Sequence, residues 1–170
     1  MKLTFLLFFT LLASNFSQTE NENFSIESNQ LIWQKIYETK LSRGEIIDEI
    51  KTTGKFENIN MLENKLTANI VDLSIDYKGY GESEMSTPMY LSRSFVKAFL
   101  ILEFEDEKYK VTIKNIKLVQ KYDDGLSKAN EVTEIENYAL SKRNTEFKSS
   151  FLRKPARILN YTFSKLTGFN

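Results

Sequence analysis

The sequence predicts an α+β fold with a single antiparallel sheet, and three observations carry that prediction. Two alternating apolar runs, 95–104 and 109–113, flank a short polar turn. Ser42-Arg43-Gly44-Glu45 opens a stretch with isoleucines at helical spacing. The C-terminal stretch repeats large apolar side chains on one helical stripe, beside Pro155.

In chain order, the first segment reads as an address. Met1-Lys2 gives a positive charge, 3–13 is almost wholly apolar, and Ser14, Asn15, Phe16 and Ser17 follow. That is the pattern of a secretory signal peptide over 1–17, with cleavage expected after Ser17. The apolar run falls short of the roughly 20 residues that a transmembrane helix needs, and no later run reaches that length. No Cys follows it, so the chain is not expected to be a lipoprotein. The expected location is secreted, in the periplasm or at the cell surface.

Residues 18–29, rich in Asn, Ser and Glu, read as a flexible leader, and 30–170 as one α+β domain. Leu31 to Tyr37 reads as a strand with Leu31, Trp33, Lys35 and Tyr37 on one face. In the Ser42–Glu45 capping box a hydroxyl accepts an amide proton while a carboxylate three residues on reaches back. Ile46, Ile47 and Ile50 then mark an amphipathic helix of about ten residues that Gly54 ends. Residues 56–61 fit neither period. From Leu66 the period becomes two, with Val71, Leu73, Ile75 and Tyr77 expected on one face and Asp72, Ser74 and Asp76 on the other. One wet face favours antiparallel pairing.

Residues 77–84 read as a loop that Pro88 closes. Val96, Ala98, Leu100, Leu102 and Phe104 share a face; Glu105 to Lys108 form a four-residue turn; Tyr109, Val111 and Ile113 return. Beyond Asn115 the parity shifts to Ile116 and Leu118, as a bulge would cause. Residues 126–145 read as a long loop with one helical turn. The last helix carries Phe147, Phe151, Ile158, Thr162 and Leu166 on its stripe, kinked or split near Pro155. The 126–170 segment is thus expected to be partly irregular loop and partly helix.

The order of these elements resembles an uncharacterised family of small secreted bacterial domains of unknown function with a TATA-binding-protein-like fold. The residues that carry the resemblance are Gln30 to Tyr37 ahead of Ser42-Arg43-Gly44-Glu45, the polar-faced strand ending in Tyr77-Lys78-Gly79, and the Phe99-to-Leu118 hairpin. It covers about residues 26–120. It implies a curved antiparallel sheet with both helices packed on one face. It implies no activity and no site residues, and the fold name gives no reason to expect DNA binding.

Composition removes many chemistries. The chain of 170 residues has no Cys and no His, with 23 basic and 23 acidic residues. Ser-His-Asp and Cys-His nucleophiles, disulfides, zinc fingers and imidazole metal sites are all excluded. An exported chain that folds without disulfides looks like a bacterial envelope protein. Asn23-Phe24-Ser25 and Asn160-Tyr161-Thr162 match the glycosylation pattern, without consequence in a bacterium. Asp123-Asp124-Gly125 lacks the spacing of a Ca²⁺ loop, and Gly79-Tyr80-Gly81 lacks the third Gly of a phosphate loop. No cofactor or metal is expected.

The balanced charge is an average of two unlike halves. Residues 18–87 carry 7 basic and 13 acidic groups, and residues 88–170 carry 15 and 10. Arg153, Lys154 and Arg157 belong to the basic, aromatic-rich end, which could lie on an anionic surface such as lipid or an envelope polysaccharide. Tyr77, Tyr80 and Tyr90 flank a glycine-containing segment and could stack on sugars or on a partner protein. A secreted address argues against nucleic acid. The expected function is a non-catalytic binding or interaction module for an envelope protein, glycan or anionic surface. The alternative is a carboxylate-dependent hydrolase of envelope glycans, drawing on Glu103, Glu105, Asp106 and Glu107 with Asp123 and Asp124 nearby.

Overall fold

The long hairpin organises the molecule. β5 (Ser94–Glu105) and β6 (Lys108–Gln120) pair antiparallel, and Val96, Ala98, Leu100, Leu102 and Phe104 are all buried on one face, as their alternation predicts. The turn is tighter than expected. Glu105 pairs with Lys108, so only Asp106 and Glu107 link the strands, with Glu107 at φ 57°. The predicted bulge is present: the register slips between Lys97 and Phe99, and Asn115 opposite adopts φ 53°. Tyr109, Val111 and Ile113 before it, and Ile116 and Leu118 after it, therefore face the same core.

The structure is a computed structural model that describes residues 21–125 and 127–169. The predicted signal peptide, 1–17, lies outside the described residues. Around the hairpin stand β1 (Phe24–Glu27), β2 (Gln30–Glu38), β3 (Phe56–Leu62), β4 (Lys65–Ser74) and the short β7 (Val132–Glu134). The sheet order is β1-β2-β6-β5-β4-β3, with every pairing antiparallel. β2 covers the first half of β6 and β7 covers the second half of the same edge.

Three sequence expectations are corrected here. Within the 18–29 leader, residues 24–27 form β1, because Phe24 buries its ring against Phe151 at 5.4 Å and so fixes the chain on the sheet edge. In β4 the buried parity runs Leu66, Ala68, Ile70 and then Leu73, so Val71 leaves the predicted face. A bulge at Asp72, φ 44°, supplies the extra residue. The 126–145 loop holds β7, the one-turn α3 (Glu136–Ala139) and β8 (Leu140–Ser141), which pairs with β9 (Glu146–Phe147). Buried Glu136 holds this segment down by accepting the Leu31 N–H at 2.9 Å. Phe147 therefore belongs to a strand and not to the terminal helix.

The helices follow from their ends. In α1 (Arg43–Thr52) the Ser42 hydroxyl accepts the Glu45 N–H, and the Glu45 carboxylate accepts the Ser42 N–H at 2.7 Å. Ile46 and Ile50 are buried, and Gly54 leaves the helix at φ 65°, a conformation glycine adopts without steric cost. The C-terminal helix is split: α4 (Ser149–Arg153) ends at Lys154, and Pro155 begins α5 (Pro155–Thr167). Proline suits a first helical turn, where no intrahelical N–H is needed. Phe163 of α5 meets Trp33 of β2 edge-on at 5.6 Å, both fully buried. Lys35 and Tyr37, on the Trp33 face of β2, reach Ser164 and Thr167.

Candidate functional site

The chain's uneven charge is resolved by contact between its two halves. Acidic residues from before Pro88 meet basic residues of α5 and its entrance: Glu22 with Arg157 at 3.5 Å, Glu82 with Lys154 at 3.0 Å, and Asp76 with Lys165 at 2.7 Å. The loop after β4 is thereby fastened to α5. The Asp76 N–H donates to the Thr162 hydroxyl at 3.1 Å, and its carboxylate accepts the Gly79 N–H at 2.8 Å. The Lys165 ammonium, and then that N–H, hold the Asp76 carboxyl below the ordinary carboxylate range. The Ser86 hydroxyl and then Lys154 do the same for Glu82.

Where this loop, the end of α1 and the end of α5 converge, they leave a cleft of about 470 Å³. Leu73, Ile75, Leu166 and Phe169 supply its apolar wall, while Thr53 and the Asp76–Lys165 pair supply polar edges. Leu73, Ile75 and Phe169 are buried and Leu166 is half-buried, so the wall is firm. Tyr109 anchors the far end: its hydroxyl donates to the Thr167 carbonyl at 2.8 Å and accepts the Phe169 N–H at 2.9 Å. An apolar concavity with a few fixed polar groups is the usual form of a small-ligand or peptide site. A second, wider groove of about 1080 Å³ lies between the β5–β6 turn and the entrance to α1, but exposed charged side chains line most of it.

The predicted surface residues divide. Tyr77 is buried in the core and presents no ring for stacking, because the β4 bulge turns it inward with Leu73 and Ile75. Tyr80 is half-buried and meets Tyr161 edge-on at 5.8 Å. Tyr90, on α2 (Met89–Ser92), stacks on Tyr138 at 4.0 Å. Lys154 and Arg157 sit in the ion pairs above, and Arg153 is exposed at the end of α4. Tyr80, Lys154 and Arg157 thus belong to one contact region, between the 76–88 segment and α5, and Tyr90 belongs to another.

The structure also places the basic end and the acidic groups. Phe151 and Phe163 are fully buried and Phe147 packs on the core, so among the described residues this aromatic stripe faces the core and not the surface. The two acidic groups of the proposed hydrolase lie far apart, although Asp106 and Glu107 line the wider groove with Glu38 and Glu45. Glu103, Glu105, Asp106 and Glu107 lie at the turn end of β6, and Asp123 and Asp124 lie beyond its other end. Thirteen extended residues separate them, roughly 40 Å. Glu103 pairs with Lys110 and Asp124 with Arg93. Among the described residues, no helix is long and apolar enough to cross a membrane. The cleft residues Thr162, Lys165 and Phe169 carried no sequence signal beyond helical spacing, since only the return of α5 brings them to β4.

No family model and no curated protein matches the chain. It is similar to two solved bacterial structures. One is a TBP-like protein from Parabacteroides distasonis, with 13% identity over 85% of this chain and 94% of that one, at a TM-score of 0.48. The other is a DUF4468 family protein from Bacteroides ovatus, with 13% identity over 87% and 92%, at a TM-score of 0.49. The α+β architecture itself rests on the strand pairing given above.

Proposed function

We propose that the protein is an exported, non-catalytic binding module of the bacterial envelope that takes its ligand in the α1–α5 cleft. The observation that carries this reading is the 470 Å³ concavity, whose apolar wall of Leu73, Ile75, Leu166 and Phe169 meets a fixed Asp76–Lys165 pair. The signal-peptide pattern of 1–17 supports export to the periplasm or cell surface, where an envelope protein or a glycan would be the partner.

The Cys-free chain makes the test direct. A photo-crosslinker is attached to a single introduced cysteine, either Thr53→Cys at the cleft or Glu57→Cys on β3, and the 18–170 protein is exposed to an envelope fraction. Adducts from position 53 that are absent from position 57, and that Leu166→Arg removes, are the expected result. Equal labelling from both positions, or none from either, would overturn the reading.

A further inference from the structure

We propose that Tyr90 and Tyr138 are an oxidative cross-linking site, closing to an intramolecular dityrosine when the protein meets a peroxidase and hydrogen peroxide. Their rings lie 4.0 Å apart, centroid to centroid, and 2° from parallel. Aromatic pairs in proteins ordinarily sit about 4.5–7 Å apart, offset or edge-on. With the ring planes one carbon contact apart, about 3.5 Å, the sideways offset is only about 2 Å. The carbons of one ring therefore lie directly against those of the other. Burial, and then the neighbouring Tyr138 phenol, push the Tyr90 pKa upward, so the Tyr90 phenol keeps its proton at neutral pH.

The other tyrosine pairs lack this arrangement. Tyr37 and Tyr109 are 5.1 Å apart and 15° from parallel, and both hydroxyls are hydrogen-bonded, to Thr167 and Phe169. Tyr80 and Tyr161 meet edge-on. Among the described residues, neither the Tyr90 nor the Tyr138 hydroxyl has a hydrogen-bond partner to hold it.

The chemistry balances. Each phenol gives up one electron and one proton to become a phenoxyl radical, whose spin density reaches the ring carbons ortho to oxygen. One ortho carbon of each ring joins in a new C–C bond, and the two ortho hydrogens move to oxygen to restore both phenols. Two electrons and two protons leave in total, and one hydrogen peroxide takes them up to become two waters. The link would tie α2 to α3, two one-turn helices that no strand pairing joins. The Arg93–Asp124 ion pair and the Lys121 hydrogen bond to the Ser92 carbonyl tie the end of α2 to the stretch after β6, and the link would add a tie to α3. In a chain with no Cys, such a bond supplies the covalent tie that a disulfide supplies elsewhere.

The test treats the dilute protein with a haem peroxidase and hydrogen peroxide. The expected product is a monomer with blue dityrosine fluorescence, one cross-linked peptide pair carrying Tyr90 and Tyr138, and a raised thermal midpoint. Met85, wholly exposed, takes up oxygen under the same conditions, so assignment is made on peptides and not on whole-protein mass. Tyr90→Phe and Tyr138→Phe keep both rings in the stack and are expected to abolish the product, while Tyr161→Phe leaves it unchanged. Fluorescence that survives Tyr90→Phe, cross-linked dimers through exposed Tyr122, an unchanged thermal midpoint, or no dityrosine at all would each overturn the proposal.

Discussion

The Trp33 indole N–H donates to the Asn160 side-chain oxygen at 2.9 Å, and this one amide joins three parts of the fold. The same oxygen accepts from Asn23 at 2.8 Å, and the Asn160 amide nitrogen donates to Glu22 at 3.2 Å. The N-terminal turn, β2 and α5 therefore meet at a residue whose neighbours in sequence say nothing about that role. Replacing it with Leu leaves the buried indole N–H without a partner. Asn160→Leu is expected to lower unfolding free energy by about 1–3 kcal/mol in a denaturant titration.

Tyr109→Phe tests the anchor of the last helix. The substitution keeps the fully buried ring but strands the Thr167 carbonyl and the Phe169 N–H together. A loss of about 2–4 kcal/mol is expected, for two buried backbone groups. Faster amide exchange at 167–169 than elsewhere in α5 would locate it.

The Asp76–Lys165 contact predicts an acid-sensitive region. Asp76 has a lower pKa folded than unfolded, so the contact stabilises the protein above the ordinary carboxylate pKa of about 4 and fades as pH falls below it. Asp76→Asn is expected to flatten the stability–pH curve in that acid range and to change stability at pH 7 by about 1 kcal/mol or less, because the Lys165 side chain is well exposed. Equal pH slopes for the two proteins would show that the contact does not couple to folding.

The bulges in β4 and β6 make a prediction about backbone. Asn115 and Asp72 sit at φ 53° and 44°, where β-branched residues are strained. Asn115→Val is expected to cost about 1–3 kcal/mol, and Asn115→Gly much less. A thermal melt of the two variants ranks them, and an equal cost for both would contradict the left-handed assignment.

Much of the local architecture was legible in the sequence. The Ser42–Glu45 box, the 95–113 alternation and the Asn115 parity shift are features of neighbouring residues, and short-range sterics and hydrogen bonding decide them. Pro155 likewise marked the break between α4 and α5, since its ring fits a first turn and not a helix interior. The polar stretches read as loops were decided differently. Residues 24–27 pair only because Phe24 finds Phe151, far along the chain, and 132–134 pair only because β2 leaves half of one β6 edge uncovered.

By itself the sequence determined the absence of cysteine and imidazole chemistry, the α+β class, and an acidic half followed by a basic one. Tertiary structure decided what the charges do. Lys154, Arg157 and Lys165 do not form a free cationic surface, because α5 returns across the sheet and sets them against Glu82, Glu22 and Asp76. The physical reason is that burying Phe151 of α4 and Phe163 of α5 fixes where the two helices lie, and each full aromatic burial contributes about 1.5–3 kcal/mol against roughly 0.2–1 kcal/mol for an exposed ion pair. Packing places the helix, and the charges pair where packing has put them. The cleft at the end of α5 follows from that same placement.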